Sequence, residues 1–388
     1  MRITVLAGGV GAARFLRGLK AAAPDAEITV VGNTGDDIVL FGLHVSPDLD
    51  TVMYTLGGGI SPERGWGRAD ETFTVLPELA AYGAGPDWFS LGDRDIATHI
   101  TRTAMLSAGA TLSEVTRRLC ERWQPGIILL PMSDDRIETH VVIDEGAGPR
   151  AVHFQEWWVR LHAAVPAQQI LATGAAQASP APGVLAAIEA ADCVLFPPSN
   201  PVVSIGTILA VPGIARAVSG KTVVGVSPII GDAPVHGMAD ACLTAIGVPT
   251  TAAAVAAHYG PGLIDGWLVD DQDKEAAVDP ALTPEGLQRR AVDYVAAGDR
   301  TAELVSPIFA DLTGLPPLLI QAGSHEILLD DATRLASRAA AADVAVTLEV
   351  TPGVPHVFQG FAAMLDEGDA ALTSAGKFLR ARLAGPQT

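Results

Sequence analysis

The chain has 388 residues, 49% of them hydrophobic, and its 25 Lys and Arg against 44 Asp and Glu give a formal net charge of -19. That length favours two or three folding units, and the charge, with no basic patch along the chain, excludes nucleic acid as a partner. No apolar run approaches the roughly eighteen residues of a bilayer-spanning helix, no signal-peptide pattern opens the chain, and Cys120, Cys193 and Cys242 are isolated, so the expectation is a cytoplasmic protein with no membrane partner.

In chain order, Arg2 to Ala7 reads as a strand running into the turn Gly8-Gly9-Val10-Gly11-Ala12-Ala13-Arg14, which opens a helix. A second strand over residues 28–32 ends at Asn33-Thr34-Gly35-Asp36-Asp37, and Pro47-Asp48-Leu49-Asp50 follows as a second acidic cluster, read as loop. The turn departs from the dinucleotide fingerprint: Arg14 stands at the third glycine position, and Asn33 replaces the acidic residue expected after the second strand. A nicotinamide cofactor is therefore not supported. Gly9, Gly11 and Arg14 suit a phosphate at a helix N-terminus, although the same glycines also fit an ordinary tight turn. Asp36 and Asp48 are the expected ligands of Mg2+, which uses one or two protein carboxylates with water and substrate phosphate, and Asp37 and Asp50 are read as supporting groups or caps.

Further along, residues 57–67 form a glycine-rich loop carrying Trp66, and residues 87–95 an aromatic loop carrying Trp88 and Phe89. Such loops suit binding of a flat ring, while any single aromatic more often anchors a core. Residues 112–123 have helical periodicity, and residues 152–158 form an aromatic patch suited to a core or a subunit contact. A strand over residues 192–196 ends in Pro197-Pro198-Ser199-Asn200-Pro201. Ser199, Asn200 and Ser204 then fall at the same sheet edge as Asp36, as candidates for a donor's phosphate or acyl part. Gly220-Lys221-Thr222 is not a P-loop, because Ala215 stands where that motif needs a glycine. The fold class expected is α/β, a Rossmann-like, mainly parallel sheet with helices on both faces.

These stretches, with Tyr54-Thr55-Leu56-Gly57-Gly58, Leu91-Gly92-Asp93-Arg94-Asp95, His153-Phe154-Gln155-Glu156-Trp157-Trp158 and Ser227-Pro228-Ile229-Ile230, resemble the 2-phospho-L-lactate transferase family of coenzyme factor 420 biosynthesis over residues 1 to about 270. The resemblance implies transfer of a 2-phospholactyl or phosphoenolpyruvyl group from a guanylylated donor to the deazaflavin Fo, with release of GMP. It implies Mg2+ on Asp36 and Asp48, either of which also helps deprotonate the acceptor. It implies further that Gly9, Gly11, Arg14, Asn33, Thr34, Ser199, Asn200 and Ser204 bind substrate, that Trp88 suits the deazaflavin ring, and that the protein is a homodimer.

From about residue 274 that pattern stops. Ser306-Pro307-Ile308-Phe309-Ala310-Asp311, Leu315-Pro316-Pro317-Leu318 and Pro352-Gly353-Val354-Pro355-His356 resemble the C-terminal part of a hormone-sensitive-lipase-type α/β-hydrolase, in which Glu326 falls at the acid and His356 at the base of the triad. The nucleophile elbow G-x-S-x-G is missing: Ser107, Ser204 and Ser374 each precede a glycine but lack the leading one. The expected domains are a transferase-like unit over 1–272 and a hydrolase-like fragment over 273–388. The alternatives are an esterase carried by the tail, or an inactive chimera of two incomplete folds.

Overall fold

The first strand, β1 (Arg2–Ala7), is buried at every residue from Ile3 onward. A strand with no solvent face needs cover on both sides, which parallel sheets obtain from crossover helices. The computed structural model describes residues 1–260, 262–276, 306–362 and 365–383. It forms two units, Met1–Asp273 and Lys274–Thr388.

In the first unit β1 leads into α1 (Gly9–Ala22) and β2 (Glu27–Gly32). A short hairpin, β3 (Ile38–Leu40) and β4 (Leu43–Val45), precedes α2 (Pro47–Leu56), α3 (Val75–Ala81), α4 (Asp93–Ser107) and α5 (Leu112–Trp123). After β5 (Ile128–Pro131), an antiparallel group is built from β6 (Glu138–Asp144), β7 (Pro149–His153) and β8 (Ala167–Thr173). The remaining strands are β9 (Cys193–Phe196), β10 (Val223–Val226), the two-residue pair β11 (Ile229–Ile230) and β12 (Ala233–Pro234), and β13 (Gly266–Leu268).

Six strands make the central sheet in the order β13-β10-β9-β1-β2-β5, every pairing parallel. The chain runs outward from β1 to β5, then returns to the other side of β1 and runs outward again. This is the doubly wound order, and its switch point lies between β1 and β9, where such sheets open a crevice at their carboxyl ends. On one face Val5 and Val30 pack with Ala12 and Leu16 of α1, Val52 of α2 and Val115 of α5. On the other Leu6, Val31 and Phe196 pack with Ile188, Ile208 and Ile214. The aromatic patch falls in a third core, with Phe154 and Trp157 buried against Val141 and Val203. No described helix is long and apolar enough to cross a membrane.

One expected element differs. Asp48 and Asp50 lie in the first turn of α2, not in a loop. Ser46 precedes Pro47 at the first helical position, and carboxylates there meet the positive end of the helix. An Asp-rich stretch suits a turn by composition, and here it marks a helix start.

In the second unit Leu318–Gly323 pairs in parallel with Val346–Thr351, alongside helices Leu329–Ala341 and Asp366–Leu383. A further helix expected near residues 283–296 lies outside the described residues.

One tight backbone approach in the doubly wound core is at Gly11, where an added Cβ would lie 2.3 Å from the Pro198 carbonyl oxygen. Gly11→Ala therefore forces α1 off the loop after β9, a destabilisation of about 1–3 kcal/mol. Gly18→Ala, in the same helix with nothing within 4 Å of the new methyl, stabilises by about 0.5–1 kcal/mol. Thermal melts should shift in opposite directions; a Gly11→Ala protein as stable as the parent would refute the close approach.

Candidate active site

At the switch point the glycine turn is tied to the loop after β9. Ser199 donates from Oγ to the Gly8 carbonyl at 2.9 Å, and the Gly8 amide faces the same Oγ at 3.5 Å. Any Cβ on Gly8 would sit 2.6 Å from Ser204 Cβ and 2.8 Å from Asp48 Oδ2. Gly9 takes a positive φ of 74°, and its amide hydrogen bonds Asp48. Backbone, Ser204 and Asp48 thus converge because no side chain stands between them.

Asn33 joins three segments. Its Nδ2 donates to Asp48 Oδ2 at 2.9 Å and to the Val203 carbonyl at 3.3 Å, and its Oδ1 accepts from the Gly35 amide at 3.0 Å. A carboxylate at this position would add a further negative charge against Asp48, which accounts for the missing fingerprint acid.

Asp36, Asp37 and Asp48 are only 6%, 7% and 7% exposed. Burial, then the charges of Asp48 and Asp37, hold Asp36 well above the ordinary carboxylate range. Burial also pushes Asp48 up to about 6, with Asp37 adding to it and the hydrogen bonds from Asn33 and Gly9 opposing it. Asp36 Oδ1 is buried with no hydrogen-bond partner among the described residues. Like-charged, desolvated carboxyls with an unused oxygen fit a divalent cation, which supplies the missing positive charge. No group of three or more His, Cys, Asp or Glu among the described residues is arranged to hold a metal. Two carboxylates completed by water and substrate oxygens match the habit of magnesium.

Around the pair lies a polar frame in which Asp37 and Asp50, expected as supporting groups, meet residues the sequence did not single out. Asp37 Oδ2 accepts from Ser46 Oγ at 2.7 Å and lies 3.0 Å from His44 Nε2. The Asp37 carbonyl accepts from His153 Nε2 at 3.1 Å, and the Gln155 amide donates to His153 Nδ1, which fixes the proton on Nε2. Arg102, 1% exposed, pairs with Asp50 and donates to His99 Nδ1 at 3.1 Å. His99 Nε2 lies 3.4 Å from Asp95, whose Oδ1 accepts from Tyr54. Asp95, His99 and Arg102 recur at four and three residues, so one face of α4 carries all three. That spacing was the available signal. A lone Arg on an amphipathic helix otherwise reads as solvent-facing.

The other expected residues divide. Thr34 is buried at the site with its Oγ1 unpartnered among the described residues. Arg14 is exposed and reaches the glycine-rich loop, its Nη2 lying 2.9 Å from where a Cβ on Gly65 would be. Asn200 Oδ1 accepts from the Val202 and Val203 amides at 2.9 and 3.2 Å, so that oxygen caps the following turn. Trp88 packs edge-on against Phe89 at 5.8 Å, and Phe89 joins a small core with Leu40 and Leu91. In the second unit Glu326 and His356 are hydrogen-bonded to each other.

Residues 3–311 match the family model described as 2-phospho-L-lactate transferase CofD. A Streptomyces coelicolor protein named phosphoenolpyruvate transferase is 65% identical over 307 residues, covering 78% of this chain and 96% of that one. A Bacillus halodurans structure described as a member of the UPF0052 family aligns at 21% identity and TM-score 0.46, covering 69% of this chain and 79% of that one. A hormone-sensitive lipase from a metagenome library aligns at 29% identity over 47% of this chain and 60% of that one, with a TM-score of only 0.27. The family match extends past residue 274, where the quoted transferase motifs end, to residue 311. The expectation followed discrete motifs, and the stretch beyond 274 carries none of them.

The raised carboxyls set a pH dependence. Asp48 holds its proton up to about 6 when folded against 3.8 ordinarily, so without a cation the stability it contributes is present below the lower value and lost as pH rises through the upper one. Magnesium needs the ionised pair, so its stabilising effect should be small near pH 5 and large near about pH 7.5, with protons released on binding. Melting curves with and without Mg2+ read this directly; an equal shift at both pH values would remove the pair as the ligand set.

Proposed function

The chain belongs to the 2-phospho-L-lactate transferase CofD family, and on that premise we propose that it transfers a 2-phospholactyl or phosphoenolpyruvyl group from a guanylylated donor to the deazaflavin Fo, in the biosynthesis of coenzyme factor 420. The name of the Streptomyces coelicolor relative favours the phosphoenolpyruvyl donor. The observation that carries the reading is the buried pair Asp36 and Asp48 at the switch point, beside a glycine turn and a helix N-terminus.

In this mechanism the acceptor hydroxyl oxygen attacks the phosphorus of the three-carbon acid phosphate. The new P–O bond forms as the anhydride bond to the GMP phosphate breaks. GMP leaves with that electron pair, and the hydroxyl proton passes to a carboxylate of the Asp36–Asp48 pair. Asp36 and Asp48 would hold Mg2+, which when bound neutralises charge on the diphosphate. Gly9 leaves the backbone at the start of α1 open to a phosphate, Gly11 lets α1 pack against the loop after β9, and Arg14 adds a side-chain cation next to the glycine-rich loop. Asn33 holds Asp48 in place through a neutral amide. Ser199 keeps the turn in register, and Ser204 borders the space beside Gly8. Trp88, half-buried on its loop, offers a ring face to the deazaflavin.

The esterase alternative rests on the Glu326–His356 pair. Without a nucleophile elbow, such a pair has no serine to activate.

Incubation with Fo, the guanylylated donor and Mg2+ should yield a phosphoryl-linked Fo adduct and GMP by mass spectrometry. Asp36→Asn and Asp48→Asn should each lower kcat/KM by roughly a thousandfold, about 4 kcal/mol of transition-state stabilisation. Arg14→Ala should raise the donor KM, and His356→Ala should leave transfer unchanged. Full activity of Asp36→Asn with unaltered magnesium dependence would defeat the mechanism.

A further inference from the structure

Helix α2 carries Asp48 and Asp50 in its first turn. At 3.6 residues per turn their side chains leave the helix about 200° apart, in nearly opposite directions. Asp48 accepts from Asn33 Nδ2 and from the Gly9 amide. Asp50 faces α4, where Arg102 donates to it from Nη2. The turn is therefore held from both sides, and the place of Asp48 depends on how far Arg102 draws the turn the other way.

The same guanidinium reaches a second segment of the site. Arg102 Nη1 donates to the His44 carbonyl at 3.4 Å, beside its 3.1 Å bond to His99 Nδ1. One residue further, Thr103 Oγ1 accepts from the His44 amide at 2.8 Å and donates to the His99 carbonyl at 2.7 Å. His44 lies on β4, and its ring stands 3.0 Å from Asp37 Oδ2. One nitrogen of Arg102 thus grips the backbone of β4, and the other grips a carboxylate of α2.

Stability alone does not call for this arrangement. Arg102, His99 and Asp50 are 1%, 1% and 4% exposed. Taking a guanidinium and a carboxylate out of water costs about as much as their attraction returns, and apolar residues of similar volume often serve a core as well or better. A planar fork offers what an apolar side chain does not: a fixed angle and distance to two acceptors at once.

We propose that Arg102 is a positioning residue, whose two terminal nitrogens clamp α2 to β4 and so set the distance between Asp48 and the loop that carries Asp36 and Asp37. It acts through Asp50 and His44 and touches no substrate itself. The assignment deepens the transfer reading above, and rests on it and on the Asp36–Asp48 cation pair for the chemistry that the clamp serves.

Arg102→Lys keeps the charge, but its single nitrogen cannot stand at both the Nη1 and the Nη2 position. In the full-length protein it should speed amide hydrogen exchange in two places together, residues 38–45 and 47–56. It should lower kcat by about a hundredfold, as small misplacements of reacting groups do, with the donor and acceptor KM within about twofold of the parent. The Mg2+ concentration that gives half of the full rise in Tm should increase by about tenfold. Val115→Ala, at a fully buried residue of the same core, is the comparison: it lowers the Tm through a cavity and leaves kcat and the Mg2+ midpoint as in the parent. If Arg102→Lys does not fold, Asp50→Asn combined with Arg102→Gln leaves no buried charge unpaired, yet lacks the reach to His44, so the same losses are expected. A folded variant with the parent's kcat and Mg2+ midpoint, or with losses no larger than those of Val115→Ala, would overturn the clamp while leaving the cation and transfer readings standing. If Mg2+ shifts the Tm of neither parent nor variant while exchange and kcat respond as expected, the clamp stands and the cation reading falls. If the parent forms no Fo adduct while exchange and the Mg2+ midpoint respond as expected, the clamp stands and the transfer reading falls.

Discussion

Three carboxylates out of water in one place is the constraint around which this unit is arranged. Asp36, Asp37 and Asp48 repel one another where little solvent screens them. The surrounding elements reduce that repulsion without bringing a Lys or Arg onto Asp36. Asp48 sits in the first turn of α2 and takes the Gly9 amide at the start of α1, so two helix N-termini face it. Asn33 contributes a neutral donor. Asp37 is held by Ser46 and His44, and the buried guanidinium of the frame, Arg102, is committed to Asp50. What remains is a buried site whose negative charge is only partly balanced.

Much of this architecture was legible in the sequence because it is local. A strand, a glycine turn and a helix announce themselves in adjacent residues, and the α/β class with a mainly parallel sheet followed from them. Other features were hidden for physical reasons. Pro47-Asp48-Leu49-Asp50 looks like a loop by composition, and becomes a helix start because the same residues satisfy its N-terminal end. The β3–β4 hairpin has only three residues per strand, too few for alternation to register. Arg102 is buried because Asp50, from a different helix, pairs with it, a contact between segments that no single-segment pattern encodes. The loops carrying Asp36 and Ser199 follow strands that flank β1 and so share a sheet edge, as expected.

The second unit shows the limit of motif reading in the other direction. Glu326 and His356 do meet in a hydrogen bond across residues that resemble a hydrolase. A hydrogen-bonded acid and histidine are still only two parts of a catalytic device whose rate depends on a nucleophile and oxyanion donors. The transferase match, meanwhile, extends into the segment assigned to the hydrolase. Residues in the right place do not by themselves carry an activity.

The pairing of β1 with β9 has a consequence for how the chain is made. Ile3, Thr4 and Val5 lie against Cys193, Val194 and Leu195, so one flank of the first strand waits for a partner made almost two hundred residues later. At ~5–20 residues per second of synthesis, that interval is about 10–40 s. Throughout it, an apolar strand with open backbone donors and acceptors is a template for wrong pairing. The crevice at the switch point of the finished protein therefore cannot form until the second half of the sheet begins, and the nascent chain is most exposed to aggregation along the strand that will become its centre.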